Sequence, residues 1–148
     1  MRYLLDTNVF NRLAADPSLM VRLTGNDLFV IHTQRDELND TPGHIQRAVL
    51  IKTLEVVEPA QRASASAVWD VSAWDESCWS DDDGSTYEKL LAEIKARDKR
   101  SKRHIGQVRD SLTAETAIKE GLTLVTGDGV LREVTIAHGG RAITLDEL

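Results

Sequence analysis

The chain has 148 residues, with 18 Lys and Arg against 24 Asp and Glu, and a net charge of −6. That length suits one domain, 1–148, able to bury its own core, and a charge of this sign, if evenly spread, argues against a nucleic-acid partner. One cysteine, Cys78, excludes an intrachain disulfide and fits a reducing cytoplasm; no apolar run reaches membrane-spanning length, and Asp6 comes too early for a signal peptide.

Arg2-Tyr3-Leu4-Leu5 is a short apolar run without helical period, so it predicts a buried strand that ends at the polar Asp6-Thr7-Asn8. Leu28-Phe29-Val30-Ile31 predicts a second strand, with Thr33 as the N-cap of a following helix and Glu37 about a turn beyond the strand. After the Pro42-Gly43 break, Ile45, Ala48, Val49 and Lys52 keep helical spacing, and residues 54–57 predict a short strand. Ala60, Ala63, Ala67, Val71 and Trp74 recur at steps of three and four, which predicts a helix. Six acids between Asp70 and Asp83, with no Lys or Arg among them, predict a solvated loop up to Gly84.

Ser85-Thr86-Tyr87-Glu88 matches a capping box, and Tyr87, Leu90, Leu91 and Ile94 form an i, i+3, i+4, i+7 stripe, the signature of an amphipathic helix. From Lys95 to Arg109 seven basic residues stand against the single acid Asp98, a local charge of +6. Lys99, Arg100, Lys102, Arg103 and Arg109 in this run are candidates for contacting nucleic-acid phosphates, because Lys and Arg supply most non-specific affinity for such polymers. Residues 107–120 then predict a helix ending at Gly121, and residues 122–126 a strand that closes on Gly127-Asp128-Gly129. A helical or irregular piece to His138, a Gly139-Gly140 turn and a strand over residues 141–145 complete the chain.

Strands alternating with helices predict a three-layer α/β/α sandwich around a mainly parallel sheet. Asp6 and Asp128 fall at the carboxyl ends of strands, and Glu37 a turn beyond one. A helix descending about 16 Å from Asp110 to Gly121, followed by a strand climbing a similar distance, returns Asp110 to the level of Asp128. Ligands of open parallel sheets bind at that edge. Two carboxylates 4 Å apart repel by roughly 4 kcal/mol at an effective dielectric near 20, so four together need protons, cations or basic side chains. Oxygen-only ligands without histidine favour Mg²⁺ or Mn²⁺.

Leu4-Leu5-Asp6-Thr7-Asn8-Val9, Arg109-Asp110-Ser111-Leu112 and Leu124-Val125-Thr126-Gly127-Asp128 resemble the motifs of PIN domains, in particular the VapC-like ribonuclease toxins of toxin-antitoxin pairs. The resemblance runs over nearly the whole chain. It implies a single PIN-like nuclease domain and a Mg²⁺-dependent endoribonuclease acting on RNA. It further implies a cognate antitoxin and a homodimer. It makes Asp6, Glu37, Asp110 and Asp128 the catalytic, metal-binding acids, supported by Asn8 and Thr126. Asp36 adjoins Glu37 and competes for the second acidic position.

Each residue also has a plainer reading. Asp6 suits a helix cap, Asp128 a turn, Asp110 the positive end of a helix dipole, and Glu37 the open surface. The basic run suits a solvated helix end. Trp69, Trp74 and Trp79, spaced by five, cannot share a helical face, so Trp74 suits the core while Trp69 and Trp79 are left for a protein partner or a nucleobase. A haloacid dehalogenase-type phosphatase requires a second aspartate where Asn8 stands, which sets it below a nuclease. A non-catalytic interaction module, in which the acids bind a basic segment of a partner or a structural ion, is the rival of another class. No Gly-x-x-x-x-Gly-Lys-Ser/Thr sequence is present for a P-loop, and one cysteine with four histidines does not make a zinc site.

Overall fold

A computed structural model describes residues 1–68, 71–72, 77–82, 84–98 and 104–148. Five strands, β1 (Arg2–Leu5), β2 (Asp27–Val30), β3 (Ala60–Gln61), β4 (Thr123–Val125) and β5 (Arg141–Ile143), form one sheet in the order β3-β2-β1-β4-β5. Every pairing is parallel. The expected mainly parallel sheet is therefore wholly parallel.

Period-two alternation distributes the strand side chains between two cores. Leu4, Phe29 and Leu124 face one layer, where they meet Leu90 and Ile94 of α4 (Ser85–Arg97), Val108 and Leu112 of α5 (His104–Lys119), and Leu131 and Val134 of α6 (Gly129–Ala137). Tyr3, Leu5, Val30 and Val125 face the opposite layer. There they meet Phe10 and Leu13 of α1 (Thr7–Ala15), Leu38 of α2 (His32–Asn39) and Leu50 of α3 (His44–Val57). Leu4, Leu5 and Leu124 are fully buried, each contributing about 2 kcal/mol of transfer free energy. The result is the three-layer α/β/α sandwich the sequence predicts. Among the described residues, no helix is long and apolar enough to cross a membrane.

Several local expectations are corrected. Residues 54–57 are not a strand but the last turn of α3. Leu50, Thr53, Leu54 and Val57 lie at i, i+3, i+4 and i+7, and this face packs on the core. Tertiary burial thus overrides the strand preference of Val56 and Val57. The stripe through Ile45, Ala48 and Val49 is the exposed side of the same helix, with Ile45 71% accessible. The helix expected from Ala60 is replaced by β3, whose residues pair with Phe29 and Val30, and by a loop that Ala65 fastens to α5 through its N–H bond to Thr116 Oγ1 (3.0 Å). The later part of that prediction, at Trp74, lies outside the described residues, as does Trp69.

Thr33 is not the cap of α2. The cap is Ile31 and the helix starts at His32, two residues earlier than expected; Thr33 is buried within it, and its hydroxyl meets that of Thr113 at 3.2 Å. In α4 the cap is Gly84 rather than Ser85, and Asp82 Oδ2 accepts from the Thr86 backbone N–H and hydroxyl in place of the expected box. The α4 stripe itself is as predicted: Leu90 and Ile94 are buried, and Tyr87 and Leu91 pack beside them. Gly121, at φ +64°, ends the turn after α5, where a left-handed residue closes the helix.

Candidate active site

At the carboxyl edge of the sheet, Asp6, Glu37, Asp110 and Asp128 line one open cleft of about 500 Å³. Four separate elements deliver them. Asp6 follows β1 directly, Glu37 sits in α2 beyond β2, Asp110 in α5 ahead of β4, and Asp128 between β4 and α6. Asp6 and Asp110 are nearly buried, at 6% and 8% accessible, so only the cleft gives them access to solvent.

The plainer reading of Asp6 as a helix cap is also correct, while Asp128, read plainly as a turn residue, is a helix cap as well. Asp6 caps α1, its Oδ1 accepting the Thr7 N–H at 2.8 Å, and Asp128 caps α6, its Oδ1 accepting the Leu131 N–H at 3.1 Å. A strand that ends in a capping acid throws its carboxylate to the sheet edge, so capping and cleft formation are one arrangement.

Asn8 and Thr126 bind the two halves of the site together. Asn8 Nδ2 donates to Asp6 Oδ2 at 2.6 Å and to Thr126 Oγ1 at 3.1 Å, while its Oδ1 accepts the Gly127 N–H at 2.8 Å. Thr126 Oγ1 donates to Asp6 Oδ2 at 2.7 Å and accepts the Asp128 N–H at 3.0 Å. This chain of bonds explains asparagine at position 8: an aspartate there would set a second negative charge against Asp6 and lose the donor.

Glu37 reaches the cleft and Asp36 does not line it. Asp36 Oδ2 instead lies 3.2 Å from Nδ1 of the buried His32, one turn earlier. Arg109, a candidate phosphate contact, is largely buried: its side chain is 12% accessible, and its guanidinium pairs with Asp40 Oδ2 at 2.7 Å, tying α5 to the end of α2. Lys99, Arg100, Lys102 and Arg103 lie outside the described residues.

Sequence reasoning missed Arg12, which lines the cleft with Asn11. The signal was present: Asn8, Asn11 and Arg12 stand at i, i+3 and i+4, opposite the buried Val9, Phe10 and Leu13. Arg12 forms a two-pronged pair with Asp146, Nη1 to Oδ2 at 2.9 Å and Nη2 to Oδ1 at 3.0 Å. The pair raises the Arg12 pKa and holds the Asp146 carboxyl below its usual range.

Among the described residues, no three His, Cys, Asp or Glu side chains form a ready-made metal cage. The residues nevertheless fit a hydrated divalent ion. Mg²⁺ keeps several waters and is held by one or two carboxylates together with substrate phosphate oxygens, so an open cleft of four carboxylates matches it better than a closed cage would. Thr7 also lines the cleft, and its Oγ1 is buried without a hydrogen-bond partner among the described residues.

No protein-family model and no curated protein matches the chain. Solved structures do. PAE2754 from Pyrobaculum aerophilum has a TM-score of 0.56 at 19% identity, with 99% of this chain and 91% of that one covered. VapBC2 from Rickettsia felis, bound to a DNA fragment from its promoter, has a TM-score of 0.56 at 17% identity, with coverage of 97% and 98%. FitAcB from Neisseria gonorrhoeae has a TM-score of 0.50 at 16% identity, with 99% of each chain covered. At these identities the likeness is one of fold. The chain has a PIN-like α/β/α fold, and the comparisons extend over nearly its full length.

Proposed function

We propose that this protein is a Mg²⁺-dependent endoribonuclease, the toxin of a toxin-antitoxin pair, acting in the cytoplasm as a homodimer until a cognate antitoxin binds it. The observation that carries the reading is the meeting of Asp6, Glu37, Asp110 and Asp128 in one cleft from four distant parts of the chain. The likeness in fold to VapBC2 and FitAcB supports the toxin side of it.

Asp6, Glu37, Asp110 and Asp128 would hold Mg²⁺ or Mn²⁺, with Asn8 and Thr126 fixing the direction of the Asp6 carboxylate. The chemistry such an ion would supply is Lewis acidity, which would activate a water for in-line attack and offset charge on the leaving oxygen. The protein's own part is to position the phosphodiester over the acids and to keep their carboxylates in register. Lys99, Arg100, Lys102 and Arg103, in the basic run before α5, are the sequence's candidates for attracting the RNA backbone.

The rival reading is a non-catalytic interaction module, in which the same four acids bind a basic segment of a partner or a structural ion. Purified protein incubated with mixed RNA distinguishes the two. Under the nuclease reading, scission requires Mg²⁺, stops with chelator, and falls at least a hundredfold in Asp6→Asn. If wild type and a folded Asp6→Asn are equally inert with Mg²⁺ and Mn²⁺, the binding module takes its place.

A further inference from the structure

Arg12 is the one cation among the described residues that line the cleft. It sits on the polar face of α1 that begins at Asn8, four residues and about 6 Å along the helix from it, on the scale of one nucleotide step of an extended strand. Its guanidinium is directed by Asp146, which is itself positioned by Arg22, whose Nη1 donates to the Asp146 carbonyl at 2.9 Å. The Arg12 side chain remains 42% accessible, so the pair is open to solvent and to an incoming anion. An exposed pair of this kind adds little to stability. A planar guanidinium already held by a carboxylate has the geometry that accepts a phosphate in two-pronged fashion.

We propose that Arg12 binds the RNA phosphate next to the scissile one, and that Asp146 orients Arg12 before RNA arrives and competes with that phosphate for it. The inference rests on the nuclease reading and adds to it the direction in which the strand leaves the acids, along α1. Asn11, exposed one residue before Arg12, borders the same track. Arg12 and Asp146 act with opposite sign: removing the cation weakens RNA binding, while removing its carboxylate competitor strengthens it.

The test measures binding of a fluorescent single-stranded RNA in Mg²⁺ to protein carrying Asp6→Asn, which suppresses cleavage, with cleavage by the corresponding wild-type-background variants measured in parallel. Arg12→Gln is expected to weaken binding about tenfold and to reduce the dependence of log K on log salt by about 0.7, the share of one phosphate contact on a single strand. Asp146→Asn is expected to tighten binding several-fold, and Arg12→Lys to retain part of the affinity. In the cleaving background the Arg12→Gln defect falls mainly on KM. If RNA affinity and salt slope stay unchanged in both variants while wild type cleaves normally, the pair is a surface contact and the inference is overturned alone. If wild type neither binds nor cleaves RNA, the nuclease reading falls and takes this inference with it.

Discussion

At the scale of single residues, the site depends on side chains that satisfy one another before any ligand arrives. Thr126 is fully buried, and its hydroxyl meets three groups: Asp6, Asn8 and the Asp128 N–H. Thr126→Val keeps the shape and removes the hydroxyl, leaving those groups short of a partner. Stability is expected to fall by about 1–3 kcal/mol, read from urea unfolding with an unchanged m-value, and an unaffected midpoint would deny Thr126 its role. Asp6 and Asp128 were legible in the sequence because each strand end is marked locally, by an apolar run that stops at a polar or glycine-flanked aspartate, and Asp110 because the lengths of α5 and β4 return it to the same level. The choice between Asp36 and Glu37 was not. Adjacent helical residues point about 100° apart, and which of them meets the cleft depends on how α2 is rotated on the sheet. His32 supplies the answer in the structure by engaging Asp36.

Elements were legible where one signal dominated and illegible where two competed. The α4 stripe and the Gly121 stop had no rival reading. In α3, by contrast, Ile45, Ala48 and Val49 describe a helical face as well as Leu50, Thr53 and Leu54 do, and only packing on Leu38 and the sheet selects the second. The two residues of β3 carry no strand signature, since their place is fixed by backbone pairing to β2. α3 also ends under strain: Glu58 has φ +48° and ψ +47°, the left-handed conformation that favours glycine, and its N–H bonds to Leu54 O at 3.0 Å to close the helix. Glu58 is exposed, so its side chain can be removed without loss of packing. Glu58→Gly is expected to stabilise the protein by about 1 kcal/mol, raising Tm by a few degrees; a lower Tm would mean that the side chain has a contact that outweighs the strain.

For the molecule as a whole, the sheet topology is what turns a sequence of scattered acids into a cleft. The parallel order β3-β2-β1-β4-β5 places the carboxyl ends of β2, β1 and β4 side by side, and the helices that follow or precede them bring Glu37 and Asp110 to the same edge. Alternating strands and helices predicted this architecture, but not the pairing of Arg12 in α1 with Asp146, a contact 134 residues apart in sequence that no local pattern encodes. If the cleft holds the proposed cation, folding and cation binding are linked equilibria. An ion that binds the folded cleft and not the unfolded chain stabilises by about 2.7 kcal/mol at a hundredfold excess over its Kd. For a chain of this size that corresponds to a rise of about 5–10 °C in Tm. Mg²⁺ is therefore expected to raise the Tm of wild type by that amount, measured against NaCl of matched ionic strength so that general screening cancels. An Asp6→Asn, Asp110→Asn double variant is expected to lose this increment whatever its own starting Tm, because the comparison is made within each protein. An equal Mg²⁺ increment in wild type and double variant would locate the effect on the general surface and remove the cation from the cleft.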